Sequence, residues 1–197
     1  MMTMGRRRTI SDEKLLATAR AAFVEKGPSA STREIARRAH VSEGVIFQRF
    51  GTKTELFFAA MVPPVLDLGS GPKKKAPPAE ACRRLGSLVI RMVEYFRETA
   101  PVLGPLMSHP GFRFEEFARR HPESSLVVLR HELARRLAEE QRRGNIGEGP
   151  IGPMAILLIS LGHTIAVFER LGAHNSRFPD TFILDAVERL WRGMAPD

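Results

Sequence analysis

Apolar residues recur at spacings of three and four along almost the whole chain. No stretch alternates apolar with polar residues into a hairpin turn. That periodicity predicts helices throughout and argues against a core built on a sheet. Glycine and proline cut the pattern into lengths. A first helix is predicted from a Ser11 cap through Leu15, Leu16, Ala19, Ala22 and Phe23 to the stop at Gly27-Pro28. Asp12 and Glu13 in its first turn suit the positive end of the helix dipole. A second begins at Ser31 or Thr32, with Ile35, Ala36 and Ala39 inward. After a turn at His40-Val41, Ser42 caps a third, Glu43 to Arg49 or Phe50, which Gly51-Thr52 ends. A fourth, from Lys53 or Thr54 to Val62, stops at Pro63-Pro64.

Further along, Gly69 to Pro78 reads as a loop carrying Lys73-Lys74-Lys75. A long helix is predicted from Ala79 to Ala100, striped by Leu85, Leu88, Val89, Met92, Val93 and Phe96 and closed by Pro101. Short helices follow at Val102–Ser108 and Phe112–Arg120, then a longer one from Glu123 to Arg143 with Gly144-Asn145 as its stop. The last two, Met154 to Leu171 and one striped by Phe182, Ile183, Val187, Leu190 and Trp191, are apolar over wide faces that must be buried. A second subunit is the expected cover, because a self-complementary dimer is the commonest assembly.

The chain has 197 residues, enough for a real core without covalent or metal staples. Its one cysteine, Cys82, excludes a disulfide framework and a Cys-rich zinc site. It reads as a structural thiol in a reducing, cytoplasmic setting. The six histidines have no metal-ligand spacing, and no phosphate-binding glycine loop occurs. No enzyme site, metal or cofactor is therefore predicted. The N-terminal basic run is followed by Thr9, Ser11, Asp12 and Glu13 rather than an apolar segment, so no signal peptide is read. The best membrane candidate, Met154 to Phe168, falls short of the roughly 20 residues a bilayer needs and reads as buried helix.

Charge is unevenly placed. Residues 1–53 hold 11 Lys/Arg against 5 Asp/Glu, so they carry +6 of the formal net charge of +8. Such asymmetry points to a polyanionic partner for the basic part. Within it, Ser31 to Leu56 forms a helix pair with Ile35, Ala36, Val41, Ile46 and Phe50 inward and a polar, basic outer side. A helix of these dimensions fits the DNA major groove.

Thr32 with Ile35-Ala36, then Val41-Ser42-x-Gly44-x-Ile46-Phe47-x-x-Phe50-x-x-Lys53-x-x-Leu56, resembles the DNA-binding signature of the tetracycline-repressor (TetR/AcrR) family of bacterial transcription regulators. Two positions depart from it: Phe47 where the family usually has Tyr, and Arg49 where it often has His. The resemblance implies an all-α fold. An N-terminal three-helix DNA-binding domain with a helix-turn-helix would occupy residues 1–53, and a C-terminal helical ligand-binding and dimerisation domain residues 54–197. It implies phosphate contacts from Thr32, Ser42 and Lys53, and groove contacts from Glu43, Gly44, Val45, Phe47 and Gln48. Gly44 would let the helix approach closely, Gln48 would read adenine, and Val45 would pack on a thymine methyl. Arg49 adds a fixed charge for phosphate or guanine. Arg33 is a further candidate beside Arg37 and Arg38, and Arg6, Arg7 and Arg8 form an arm suited to the minor groove.

For the C-terminal part the resemblance implies a homodimer and a small-molecule effector. Met92, Tyr95, Phe96, Met107, Phe112, Phe117 and His163 are the candidate lining of an apolar pocket. Leu158, Leu161, Ile165, Phe168, Phe182, Val187, Leu190 and Trp191 are the candidate dimer interface. The expected activity is repression, with release from a pseudo-palindromic double-stranded operator on ligand binding and no membrane role. An architectural DNA-binding protein without an effector is the alternative, and an enzyme with an acquired basic N-terminus a third.

Overall fold

A computed structural model describes residues 10–69, 77–122, 126–173 and 176–193. Among these the chain is helical with no strand. The helices are α1 (Asp12–Lys26), α2 (Thr32–Arg38), α3 (Glu43–Phe50), α4 (Lys53–Ala60), α5 (Pro78–Ser108), α6 (Phe114–Arg120), α7 (Leu126–Arg142), α8 (Ile151–Arg170) and α9 (Asp180–Arg192). A 3-10 turn, Gly27–Ser29, joins α1 to α2. Ser11 Oγ caps α1 by accepting from the Lys14 amide at 3.4 Å, and Gly27 at φ +65° ends it.

The chain separates into two compact units. Unit 1 comprises residues 1–63 and 101–113, and unit 2 residues 64–100 and 114–197. The boundary expected at 53/54 therefore falls inside unit 1. The reason is α4, whose Phe57 ring meets Phe23 of α1 edge-on at 5.0 Å. Leu15, Phe23, Ile35, Ile46, Leu56 and Phe57 are the fully buried centre of this unit. Each contributes about 1.5–3 kcal/mol relative to exposure. Arg20 of α1 also caps α4: its Nε donates to Ala60 O and its Nη2 to Val62 O, both at 2.7 Å. His109 stacks on Phe57 at 4.7 Å, so the Pro101–Arg113 stretch completes the same core.

Pro101 does not close the long helix. α5 runs through both Pro101 and Pro105 to Ser108. Each interior proline forfeits one backbone hydrogen bond and costs about 3 kcal/mol. Val102 and Leu106 are each 2% exposed, and their burial offsets much of that cost.

Unit 2 is built from α5 to Ala100, α6, α7, α8 and α9. Its core draws Leu85, Val89, Met92, Val93 and Phe96 from α5, Leu133 and Leu137 from α7, Leu158 and Ile165 from α8, and Ile183, Val187 and Trp191 from α9. Gly162 lets α8 close on α5: a Cβ there would meet Met92 Cβ at 3.4 Å and Phe96 Cδ2 at 3.6 Å. An ion pair lies largely buried in this unit. Arg97 donates through Nε and Nη2 to the two Glu169 oxygens at 2.7 and 2.6 Å, with both side chains at most 10% exposed. The Phe178 amide donates to Glu169 Oε1 at 2.7 Å, fastening the segment ahead of α9 to α8.

α8 has 20 residues, more than the apolar run suggested, because Ile151 to Pro153 form its first turn. It is long and apolar enough to cross a bilayer by length and composition alone. Its Ala155–Leu158–Gly162–Ile165–Ala166 stripe is nonetheless spent on the core.

Candidate nucleic-acid interface

The helix-turn-helix turn is a Schellman closure. The Val41 amide donates to Ala36 O at 3.0 Å and the His40 amide to Arg37 O at 3.2 Å. His40 occupies the left-handed position at φ +55°, where glycine is usual. Ser42 then begins α3 in extended conformation, but its hydroxyl makes no capping bond. The next helix has a full capping box instead: Thr52 Oγ1 accepts from the Glu55 amide at 3.1 Å, and the Thr52 amide donates to Glu55 Oε2 at 2.9 Å.

α3 is divided cleanly by face. Ile46 is buried, whereas Gly44, Phe47 and Gln48 are exposed and Val45 is half-buried. A Cβ at Gly44 would meet only Ser42 Oγ at 3.7 Å, so the fold itself does not require glycine there. Among the described residues, the side chains of Arg37, Ser42, Gln48 and Lys53 form no hydrogen bond or ion pair within the chain.

Other candidates are engaged. Thr32 Oγ1 donates to Glu43 Oε1 at 2.6 Å, and Arg33 Nε lies 3.6 Å from Glu43 Oε2. This cluster ties the start of α2 to the start of α3. Arg38 bonds Glu25 at 2.9 Å and Glu34 at 2.5 Å. Lys26 and then Arg38 hold the Glu34 carboxyl below its ordinary range, and Glu25 and Glu34 raise Arg38. Arg49 is engaged too: its Nη1 donates to Ile10 O at 2.7 Å and to Asp12 Oδ1 at 2.9 Å, which binds the start of α1 to the end of α3. Arg6, Arg7 and Arg8 lie outside the described residues, as do Lys73, Lys74 and Lys75.

The residues expected around an effector separate. Met92 and Phe96 are buried in the core of unit 2, with Tyr95 and His163 edge-on to Phe96, each at 5.3 Å. Burial raises the Tyr95 hydroxyl above its ordinary value. Met107 and Phe112 belong to unit 1, and Met107 is 70% exposed. Phe117 is half-buried on α6, beside His121 at 4.9 Å. Unit 2 instead contains a cleft of about 500 Å³ between α5, α7 and α9, lined by none of these seven. Sequence reasoning missed it because its lining comes from four separated stretches and makes no local pattern.

The dimer candidates divide likewise. Leu158, Ile165, Val187 and Trp191 are core residues of this chain, because the inward stripe of each helix is the more regular one. Leu161 and Leu190 are half-buried against that core. Phe168 and Phe182 are exposed, beside Ile156, Leu157 and Leu171 that the sequence reading omitted. Cys82 is half-buried, and burial raises its thiol above the ordinary value, which suits a protonated structural side chain.

Residues 15–60 match the family of bacterial regulatory proteins designated tetR. No curated protein matches the chain. Its fold is that of several solved structures. A bacterial regulatory protein of the tetR family from Rhodococcus RHA1 is 22% identical at TM-score 0.63, over 95% of this chain and 100% of that one. A transcriptional regulator from Rhodococcus sp. Rha1 is 23% identical at TM-score 0.66, over 94% and 96%. A TetR family transcriptional regulator from Pseudomonas syringae pv. tomato is 16% identical at TM-score 0.61, over 93% and 97%. Residues 15–60, within α1 to α4, thus match the tetR-family model, on a chain whose fold is shared with these solved structures.

Proposed function

We propose that this chain is a ligand-responsive transcription regulator that binds a pseudo-palindromic operator as a homodimer and represses until an effector releases it. The outer face of α3 carries the reading. Gly44, Val45, Phe47 and Gln48 present a side without internal hydrogen-bonding commitments, on a helix held in place by buried Ile46. Gln48 reads a base edge, Val45 and Phe47 pack on thymine methyl or sugar, and Gly44 permits the approach. Ser42 and Lys53, unengaged among the described residues, bind phosphate with Arg37. Thr32, Arg33 and Glu43 act as one cluster, in which Glu43 gives up a partner when Thr32 or Arg33 turns to phosphate. Arg6, Arg7 and Arg8 supply a minor-groove arm.

The exposed apolar side of α8 and α9 supports the second subunit. In this reading unit 1 is the reading head and unit 2 the sensing, dimerising body. The setting is the cytoplasm, and the chain is not an enzyme.

The test is selection from a library of duplexes at fixed salt. A specific site is expected to bind roughly 10³-fold or more above random DNA. Gln48→Ala is expected to relax preference at one base pair by about 1–3 kcal/mol. Equal affinity for all sequences would overturn the regulator in favour of an architectural protein.

A further inference from the structure

The cleft in unit 2 has a floor of Leu68, Leu85, Leu88, Leu137, Ile146 and Trp191. Its volume of about 500 Å³ lies in the range of small-molecule sites, roughly 300–1,000 Å³. The ionisable side chains lining it are Arg84, Arg135, Arg136 and Arg143 against Glu139 and Glu140. The two carboxylates are already spent. Glu140 Oε1 takes Arg84 at 3.4 Å and Arg143 at 3.3 Å, and its Oε2 takes Asn145 Nδ2 at 2.7 Å. Glu139 takes Arg143 Nε at 2.9 Å, and Arg142 as well.

Two of the guanidiniums, those of Arg84 and Arg136, have capacity left. A guanidinium carries five N–H donors. Arg84 uses Nη1 on Glu80 and Nη2 on Glu140. Arg136 uses Nε on Glu132 and Nη2 on Gly69 O. Glu80 and Glu132 grip these arginines from outside the lining and so fix the forks rather than fill the cleft. Glu132 is itself held at about 2, chiefly by Arg135 and then by Arg136, so it remains ionised across any physiological pH. Arg136 is 10% exposed, and a charge that poorly hydrated attracts an anion more strongly than one in water.

The geometry points to a site in this cleft for an organic anion with an apolar body, its acidic group on Arg84 and Arg136 and its body on the Leu85–Leu137–Trp191 floor. A neutral molecule of the same shape leaves the donors unused, and a cation meets only carboxylates already paired with arginine. This deepens the ligand-responsive reading above and rests on it only for the effect on DNA.

Trp191 is the only tryptophan, so its emission reports the cleft directly. The full-length protein is titrated with decanoate, decanol and decyltrimethylammonium, all below micelle-forming concentration. Decanoate is expected to shift the emission saturably and to bind about tenfold or more tighter than the other two. Arg84→Gln and Arg136→Gln are each expected to weaken decanoate by about tenfold and leave decanol unchanged. Circular dichroism checks folding, and if Arg136→Gln unfolds, the more exposed Arg84→Gln decides alone. Equal binding of decanoate and decanol, or arginine variants that bind decanoate as before, overturns the site. Specific operator binding without an emission change refutes the cleft and leaves the regulator standing. An emission change without specific operator binding does the reverse.

Discussion

His40 occupies a backbone position that most L-residues avoid, at φ +55° in the turn that sets α3 against α2. The left-handed region costs a side chain about 1–2 kcal/mol. Replacing it with glycine also loosens the unfolded chain, by about 0.4–1 kcal/mol. His40→Gly is therefore expected to stabilise the protein by up to about 1 kcal/mol in urea unfolding. A loss would show that the imidazole makes a compensating contribution. The Arg97–Glu169 pair is the opposite case. Truncation to Arg97→Ala leaves a desolvated carboxylate and is expected to cost about 3–5 kcal/mol. Arg97 lowers Glu169 below its ordinary value of 4.5. The unfolded chain therefore takes up this proton first as acid is added. The pair's contribution is complete above that ordinary value and is lost as pH falls through the depressed one. Acid unfolding followed by circular dichroism should show a shallower loss below pH 4.5 in Arg97→Met/Glu169→Leu than in the parent.

At the scale of elements, α5 carries a cost inside itself. Pro101 removes the amide that would bond Arg97 O and crowds that carbonyl. Pro101→Ala restores the bond, worth about 3 kcal/mol. It also loosens the unfolded chain by about 0.4–1 kcal/mol. A net gain of about 2 kcal/mol is expected in thermal or urea unfolding, and an unchanged midpoint would mean that the helix already relaxes around the ring. This proline also marks the limit of what the sequence made legible. The helix-turn-helix could be read because its determinants are local: Ser11, Gly27, the Ile35–Ala36 pair and Gly51 all lie within a turn or two of what they govern. Pro101 was read as a stop because its offsetting burial, Val102 and Leu106, depends on residues far away in the chain. Met92 and Phe96 are read both as a helix stripe and as candidate pocket lining, and here they are buried in the core of unit 2; composition does not reveal which side of a helix a neighbour covers. The intrachain partners of Arg49 were not legible for a similar reason: Ile10 O and Asp12 lie 37 or more positions back.

At the scale of the molecule, the apolar exposures at Ile156, Leu157, Phe168, Leu171 and Phe182 call for a cover that none of the described residues provides. Light scattering at micromolar concentration is expected to give a dimer, and Leu157→Glu with Phe168→Glu to shift it toward monomer. A monomeric parent protein would remove the basis for two reading heads on one operator. The division into units has a different consequence, for how such a protein can be cut and recombined. Unit 1 is discontinuous in sequence: it joins residues 1–63 to 101–113, whose His109 ring stacks on Phe57 and is translated only after the whole of α5. A gene fragment ending at Pro63 encodes every candidate DNA contact yet omits part of the core beneath them. The reading head is thus not a cassette to be grafted onto another body by a single splice. A nascent chain does not hold all of its pieces until the ribosome has passed residue 109.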